Sequence, residues 1–300
     1  MKTRMLICLL GMVLSLGAFA QEGSYAFKVL INKGKNEIKS GGNWTPAKVG
    51  TSIGSKDEIR VPENGYLGLV HVSGKSIELK EAKTWTVADL SAKMGQGSSV
   101  LTKYTDFIIS NNTQKKGLVA TGAVDRGPRN IKVYLPEQSP VIFNNKVIIT
   151  WEKKPDVKGP FIVKLNSVFG DELKKEEVTG NSITIDLDAS NLESEDNILF
   201  QVLSKSEPNK QSKQYTIKKL SKADKERIKT TLKDVQSATA EETAINKLIL
   251  AGFYEQNGLL IDASTAYQEG ILLAPDVPQF QEDFNEFMVR NAIKDPPSKK

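Results

Sequence analysis

Between Tyr25 and Leu90 the chain is interrupted so often by glycine and turn residues that only short strands fit. The apolar stretch 27–31 gives way to Asn32-Lys33-Gly34-Lys35, and residues 36–39 give way to Ser40-Gly41-Gly42-Asn43. Trp44 opens a further stretch, Pro46 to Gly50 leads into Ile53-Gly54, and Ile59-Arg60-Val61 runs into Pro62-Glu63-Asn64-Gly65. The run Tyr66-Leu67-Gly68-Leu69-Val70 turns at Ser73-Gly74-Lys75, and Ser76-Ile77-Glu78-Leu79 then alternates polar with apolar. Turn signals at a spacing of roughly 8–12 residues predict an all-β sandwich or barrel.

Residues 98–111 break this pattern. Val100, Leu101, Tyr104, Phe107 and Ile108 fall at helical spacing behind Ser99 as N-cap, which predicts a helix packed on the first β unit. Residues 112–130, with Gly117, Gly122, Gly127 and Pro128, read as a linker. Longer strands return over 131–220, at residues 147–152, 161–165, 182–187, 197–204 and 214–217. Period-two alternation marks Phe161, Val163 and Leu165, and again Ile183, Ile185 and Leu187. Ser221-x-x-Asp224 and Thr239-x-x-Glu242 are spaced as caps that open two helices. Pro278 opens another, carrying Phe280, Phe284, Phe287 and Met288, and residues 294–300 form a polar tail expected to fray.

The N-terminus has the three-part layout of a secretory signal peptide over residues 1–20. Lys2 and Arg4 precede the apolar residues 5–16, and Ala18-Phe19-Ala20 stands before Gln21. The apolar run is shorter than the roughly 20 residues of a membrane-spanning helix. The expected product is a periplasmic protein, cleaved after Ala20, with no permanent membrane span. The single cysteine, Cys8, lies in the leader, so residues 21–300 hold no disulfide, no thiolate metal site and no cysteine nucleophile. Packing must therefore hold an exported chain together. Its 39% apolar and 26% charged content is that of a soluble protein, neither membrane-embedded nor disordered. The net charge of +5 is scattered as doublets such as Lys115-Lys116 and Lys153-Lys154, which reads as a solvated surface. A nucleic-acid partner would need that charge on one face with aromatics interleaved, so none is expected.

Three resemblances refine this outline. Val29…Gly34, Trp44-x-Pro46-x-x-Val49-Gly50, Asp57-x-Ile59, Gly65-Tyr66-x-x-Leu69-Val70 and Gly74-Lys75-Ser76-Ile77-Glu78-Leu79 resemble the FecR-type domain of bacterial envelope proteins. That likeness implies a small β module at 25–111, with its trailing helix, that engages other envelope components. Ile149-x-Trp151 and the strand count over 131–220 resemble an immunoglobulin or fibronectin type III sandwich centred on Trp151. Leu250, Ala251, Tyr254, Gly258, Ala263, Tyr267 and Pro275 resemble the tetratricopeptide repeat, a helix–turn–helix with small residues where its helices touch. Gly270 stands where the repeat has alanine, and Lys247 where it has an early tryptophan. One repeat is too short for a solenoid, so helices at 221–236 and 278–293 are expected to complete a four- to five-helix bundle within 221–293. The expected fold class is a multidomain chain, mainly β and then α.

Little in the chain points to chemistry. His71 is the only histidine and lies in the strand Val70-His71-Val72, where it reads as a surface or half-buried residue. No nucleophile elbow, zinc-protease helix or phosphate loop is present. The acidic run Glu193-Ser194-Glu195-Asp196 lacks the spacing of a calcium loop. The expectation is a non-enzymatic protein without catalytic residue, cofactor or metal, acting as an interaction or scaffold module for an envelope protein in signalling or envelope assembly. The alternative is a binder of peptidoglycan or another glycan, motivated by Trp44 and Trp85 on an exposed face and by the basic balance.

Overall fold

The computed structural model describes residues 25–95, 100–113, 131–137, 140–152 and 157–295. The leader, Ser99 and most of the linker and tail lie outside them. Within this set the chain is a mixed α/β protein, with fifteen strands in four sheets followed by a helical bundle.

The first β unit contains β1 (Tyr25–Lys33), β2 (Glu37–Ser40), β3 (Asn43–Pro46), β4 (Ser52–Gly54), β5 (Glu58–Val61), β6 (Tyr66–His71), β7 (Ser76–Leu79) and β8 (Lys83–Thr86). They form two antiparallel sheets, ordered β4-β1-β6-β7 and β3-β2-β5-β8. Phe27, Val29, Leu67 and Leu69 of the first sheet meet Ile38, Ile59 and Val61 of the second in a closed core. A register shift between Val29 and Ile31 turns Leu30 and Ile31 to the other side of β1, where Tyr66 and Val70 of β6 also point. The β1–β6 layer is therefore apolar on both faces. A short helix, α1 (Val87–Ala92), is capped by the Thr86 hydroxyl, which accepts from the Asp89 N–H.

The second β unit contains β9 (Val141–Ile142), β10 (Lys146–Thr150), β11 (Phe161–Asn166), β12 (Glu172–Val178), β13 (Ser182–Asp186), β14 (Asn197–Ser204) and β15 (Tyr215–Lys219). A five-stranded sheet, β12-β11-β14-β15-β9, and the ribbon β10-β13 enclose one core. Trp151 is fully buried there, its ring edge-on to Phe161 at 5.5 Å. The alternation expected at residues 161–165 and 183–187 is the alternation that faces this core.

The helices are α2 (Val100–Thr113), α3 (Lys222–Ala238), α4 (Ala244–Gln256), α5 (Leu260–Leu273) and α6 (Pro278–Arg290). Ser221 caps α3 as expected, its hydroxyl accepting from the Asp224 N–H at 3.1 Å. Thr239 does not open α4. It closes α3, donating its hydroxyl to the Val235 carbonyl, and Thr243 is the N-cap of α4. The helix read as packing on the first β unit does touch it, through Lys28 and Asp106 at 2.9 Å. Its apolar stripe, Leu101, Tyr104 and Ile108, belongs to the core of the bundle, with Tyr104 edge-on to Phe253 at 5.3 Å. That same core takes in Leu30, Ile31, Tyr66 and Val70 from the first β unit and Phe143 from the second.

Candidate functional site

The residues spaced like a helical repeat fall into three places. Ala251 of α4 and Ala263 of α5 are fully buried, and small side chains let the two helices approach closely. Gly258, with φ +72°, makes the turn between them in a conformation that L side chains rarely adopt. Tyr267 lies between Phe284 and Phe287, at ring separations of 5.9 and 4.9 Å. Its hydroxyl accepts from Arg290, whose guanidinium also donates to both Glu255 oxygens at 2.7 and 2.8 Å. Burial pushes the Tyr267 phenol far above its ordinary range, and Glu255 adds to that. Phe280, Phe284, Phe287 and Met288 are all buried, so the aromatic stripe of α6 is interior packing and not an open groove. Pro275 is exposed beyond the end of α5.

Leu250 and Tyr254 face a groove of about 510 Å³ instead. Its walls are the end of α3 (Gln236, Thr239), α4 and α5, together with Asn144, Asn145 and Lys146 from the second β unit. Lys247 spans it, 2.9 Å from both Glu242 and Glu269. Burial pulls the Lys247 ammonium down, but its bonds to Glu269 and Glu242 outweigh this and hold it above the usual lysine value. Tyr254 packs on Phe143 at 6.2 Å.

The groove lies at a junction built by side chains that complete strand edges. Asp262, fully buried near the start of α5, accepts from the N–H groups of Phe143 (2.9 Å) and Asn144 (2.7 Å). Burial pushes its carboxyl up to about 6, against the pull of those two donors. Thr265 accepts from the Ile148 N–H at 2.9 Å, and Gln268 donates to the Ile148 carbonyl. These residues cover the edge of β10 that no strand pairs. The first β unit is joined in the same way. Glu78 accepts from the Ile245 N–H at 3.0 Å, and Ser76 donates to Asn246. Gln279 of α6 accepts from the Asn32 N–H (3.1 Å) and donates to the Leu30 carbonyl (3.3 Å), at the register shift of β1. None of these partners was legible beforehand, because each pair is more than 100 residues apart in sequence and carries no local pattern.

Elsewhere the candidate chemistry is structural. His71 is half-buried. Its Nδ1 accepts from the Ser73 N–H at 3.1 Å and sits 2.8 Å from the Ser73 hydroxyl, and burial lowers its pKa. Trp44 and Trp85 do not share a face. Ladder register puts Trp85 in the row of Ile38 and Ile59, against the core, whereas Trp44 lies in the row of Lys39 and Glu58 on the opposite side. The Arg60 guanidinium covers the Trp44 ring at 3.9 Å. Among the described residues, no group of three or more His, Asp or Glu side chains is arranged to hold a metal, and no helix is long and apolar enough to cross a membrane. The most exposed large apolar side chains there are Phe169 (91%) and Leu272 (73%). The chain matches no family model and no curated protein.

Proposed function

We propose that the protein is an exported, non-enzymatic scaffold of the bacterial envelope, working in the periplasm after cleavage at Ala20. In this reading a FecR-like module and an immunoglobulin- or fibronectin-III-like sandwich are held apart and oriented by a tetratricopeptide-like helical brace. One observation carries it: a single apolar core runs from Leu30 and Tyr66 through the helices to Phe143. A scaffold has to fix the geometry between the surfaces it presents, and a continuous core at native packing density does so. The groove beside Lys247 supports the same reading, because Glu242 and Glu269 are both held on Lys247 instead of converging on an open position. The glycan alternative drew on a two-tryptophan platform, and the opposite facing of Trp44 and Trp85 leaves it without that support.

Residues 21–300, immobilised and exposed to envelope extract, are expected to retain a protein that excess free 21–300 displaces. Recovery of nothing displaceable would overturn the envelope-partner reading. Co-sedimentation with purified peptidoglycan in the same preparation would establish the glycan alternative in its place.

A further inference from the structure

The turn between β11 and β12 presents a large apolar side chain to solvent on a turn that is built to be rigid. Ser167, almost fully buried, accepts from the N–H groups of Phe169 (3.2 Å) and Asp171 (3.1 Å) and donates to the Asp171 carboxylate (3.0 Å). Backbone bonds from Ser167 to Asp171 and from Gly170 to Ser167 close the loop. Val168 and Phe169 project from it, and Phe169 is 91% exposed. Leaving a phenyl ring in water forgoes about 1.5–3 kcal/mol of burial. An aromatic side chain held on an ordered turn is also the usual form of an interface anchor, since little entropy remains to be lost on docking.

A complement to this tip exists in the same chain. A groove of about 450 Å³ runs between the outer face of the β10-β13 ribbon and helices α5 and α6. Half-buried Ile148 and Ile271 supply its apolar surface over a floor formed by the buried Phe284 and Met288, and Leu272 stands exposed at its rim. The tip is flanked by two acids, Asp171 and Glu172, whereas among the described residues the one charged side chain lining the groove is Lys294. Those acids also argue against an anionic lipid surface as the occupant.

We propose that the Val168-Phe169 tip of one copy docks in the Leu272 groove of a second copy. Tip and groove are different surfaces, so the contact is heterologous, and copies add head to tail. This extends the scaffold reading from one chain to an array of them.

Sedimentation velocity on purified 21–300 across a concentration series tests it. The wild-type chain is expected to self-associate. Phe169→Asp and Leu272→Asp, both at exposed positions, are each expected to weaken that association about 100-fold or more while leaving the thermal melt unchanged. An equimolar mixture of the two variants is then expected to form a dimer and stop there, because each variant retains only one half of the contact. A wild-type chain that is monomeric throughout overturns the proposal, as does association that survives both substitutions or a mixture that fails to dimerise. A monomer that still retains a displaceable envelope protein overturns only the self-docking. An array that retains none overturns only the envelope-partner reading.

Discussion

Two buried carboxylates answer pH alike and substitution in opposite ways. Asp262 and Asp283 are both held above the ordinary carboxylate value, at about 6 and about 7, chiefly by burial. Each binds its proton more tightly in the folded chain than in the unfolded one. Their stabilising effect is thus complete below about pH 4, and it is lost as pH rises through the two folded values. Thermal melts between pH 4 and pH 8 should show this part of the stability falling as the pH rises. Among the described residues Asp283 has one side-chain donor, Asn112 at 3.3 Å, while Glu286 and Glu282 repel its charge and Arg290 draws it only in part. Asp283→Asn keeps an acceptor for Asn112 and removes the charge, so it should raise stability at pH 8 by about 1–3 kcal/mol and flatten the decline. Asp262 serves two backbone donors at once. Asp262→Asn leaves one of them facing an amide NH2, and should cost about 1–3 kcal/mol at pH 7, where the native carboxylate accepts from both, read by chemical denaturation.

At the scale of elements, the seam between β6 and α4 is set by a missing side chain. A Cβ on Gly68 would lie 2.6 Å from Ile245 Cδ1 and 3.1 Å from Ile31 Cβ. Gly68→Val should therefore destabilise the chain by about 1–3 kcal/mol. Pairing it with Ile245→Ala should cost less than the two changes add up to, because the second makes room for the first. The start of α4 tests the reassigned cap: Thr243→Ala should cost about 1 kcal/mol. The strands with clean alternation, such as β14 and the β10-β13 ribbon, were legible in the sequence because one face of each is buried. β12 was not, because ELKKEEV is an edge strand whose charges guard it from pairing with other chains. β9 has two residues and β8 reads as part of a charged turn, so neither offers enough chain for a pattern. Thr239 was misread because the residues on either side of a helix–helix turn are rich in the same capping types, and only the hydrogen bonds tell which helix each one serves. Of the repeat-like positions, Ala251, Gly258 and Ala263 fall at the α4–α5 contact and its turn, and none hints that strand edges dock there.

At the scale of the whole molecule, helices complete the sheets and the sheets complete the helices. Unfolding should be one cooperative transition, with fluorescence of Trp151 and far-ultraviolet circular dichroism changing together. Gln279→Ala removes both bonds to the register shift of β1 and should speed exchange of the Asn32 amide more than that of the Trp151 amide, measured by hydrogen exchange. The same contact has a consequence in time. Leu30 and its partner Gln279 are 249 residues apart, and the ring of Tyr66 waits for that of Phe280, 6.0 Å away in the finished fold. A chain made at about 5–20 residues per second needs roughly 12–50 seconds to bring those partners into being. For that interval the part of the apolar layer that α6 will cover stays open, and only α2 and α4 of this chain can lie over the rest of it first.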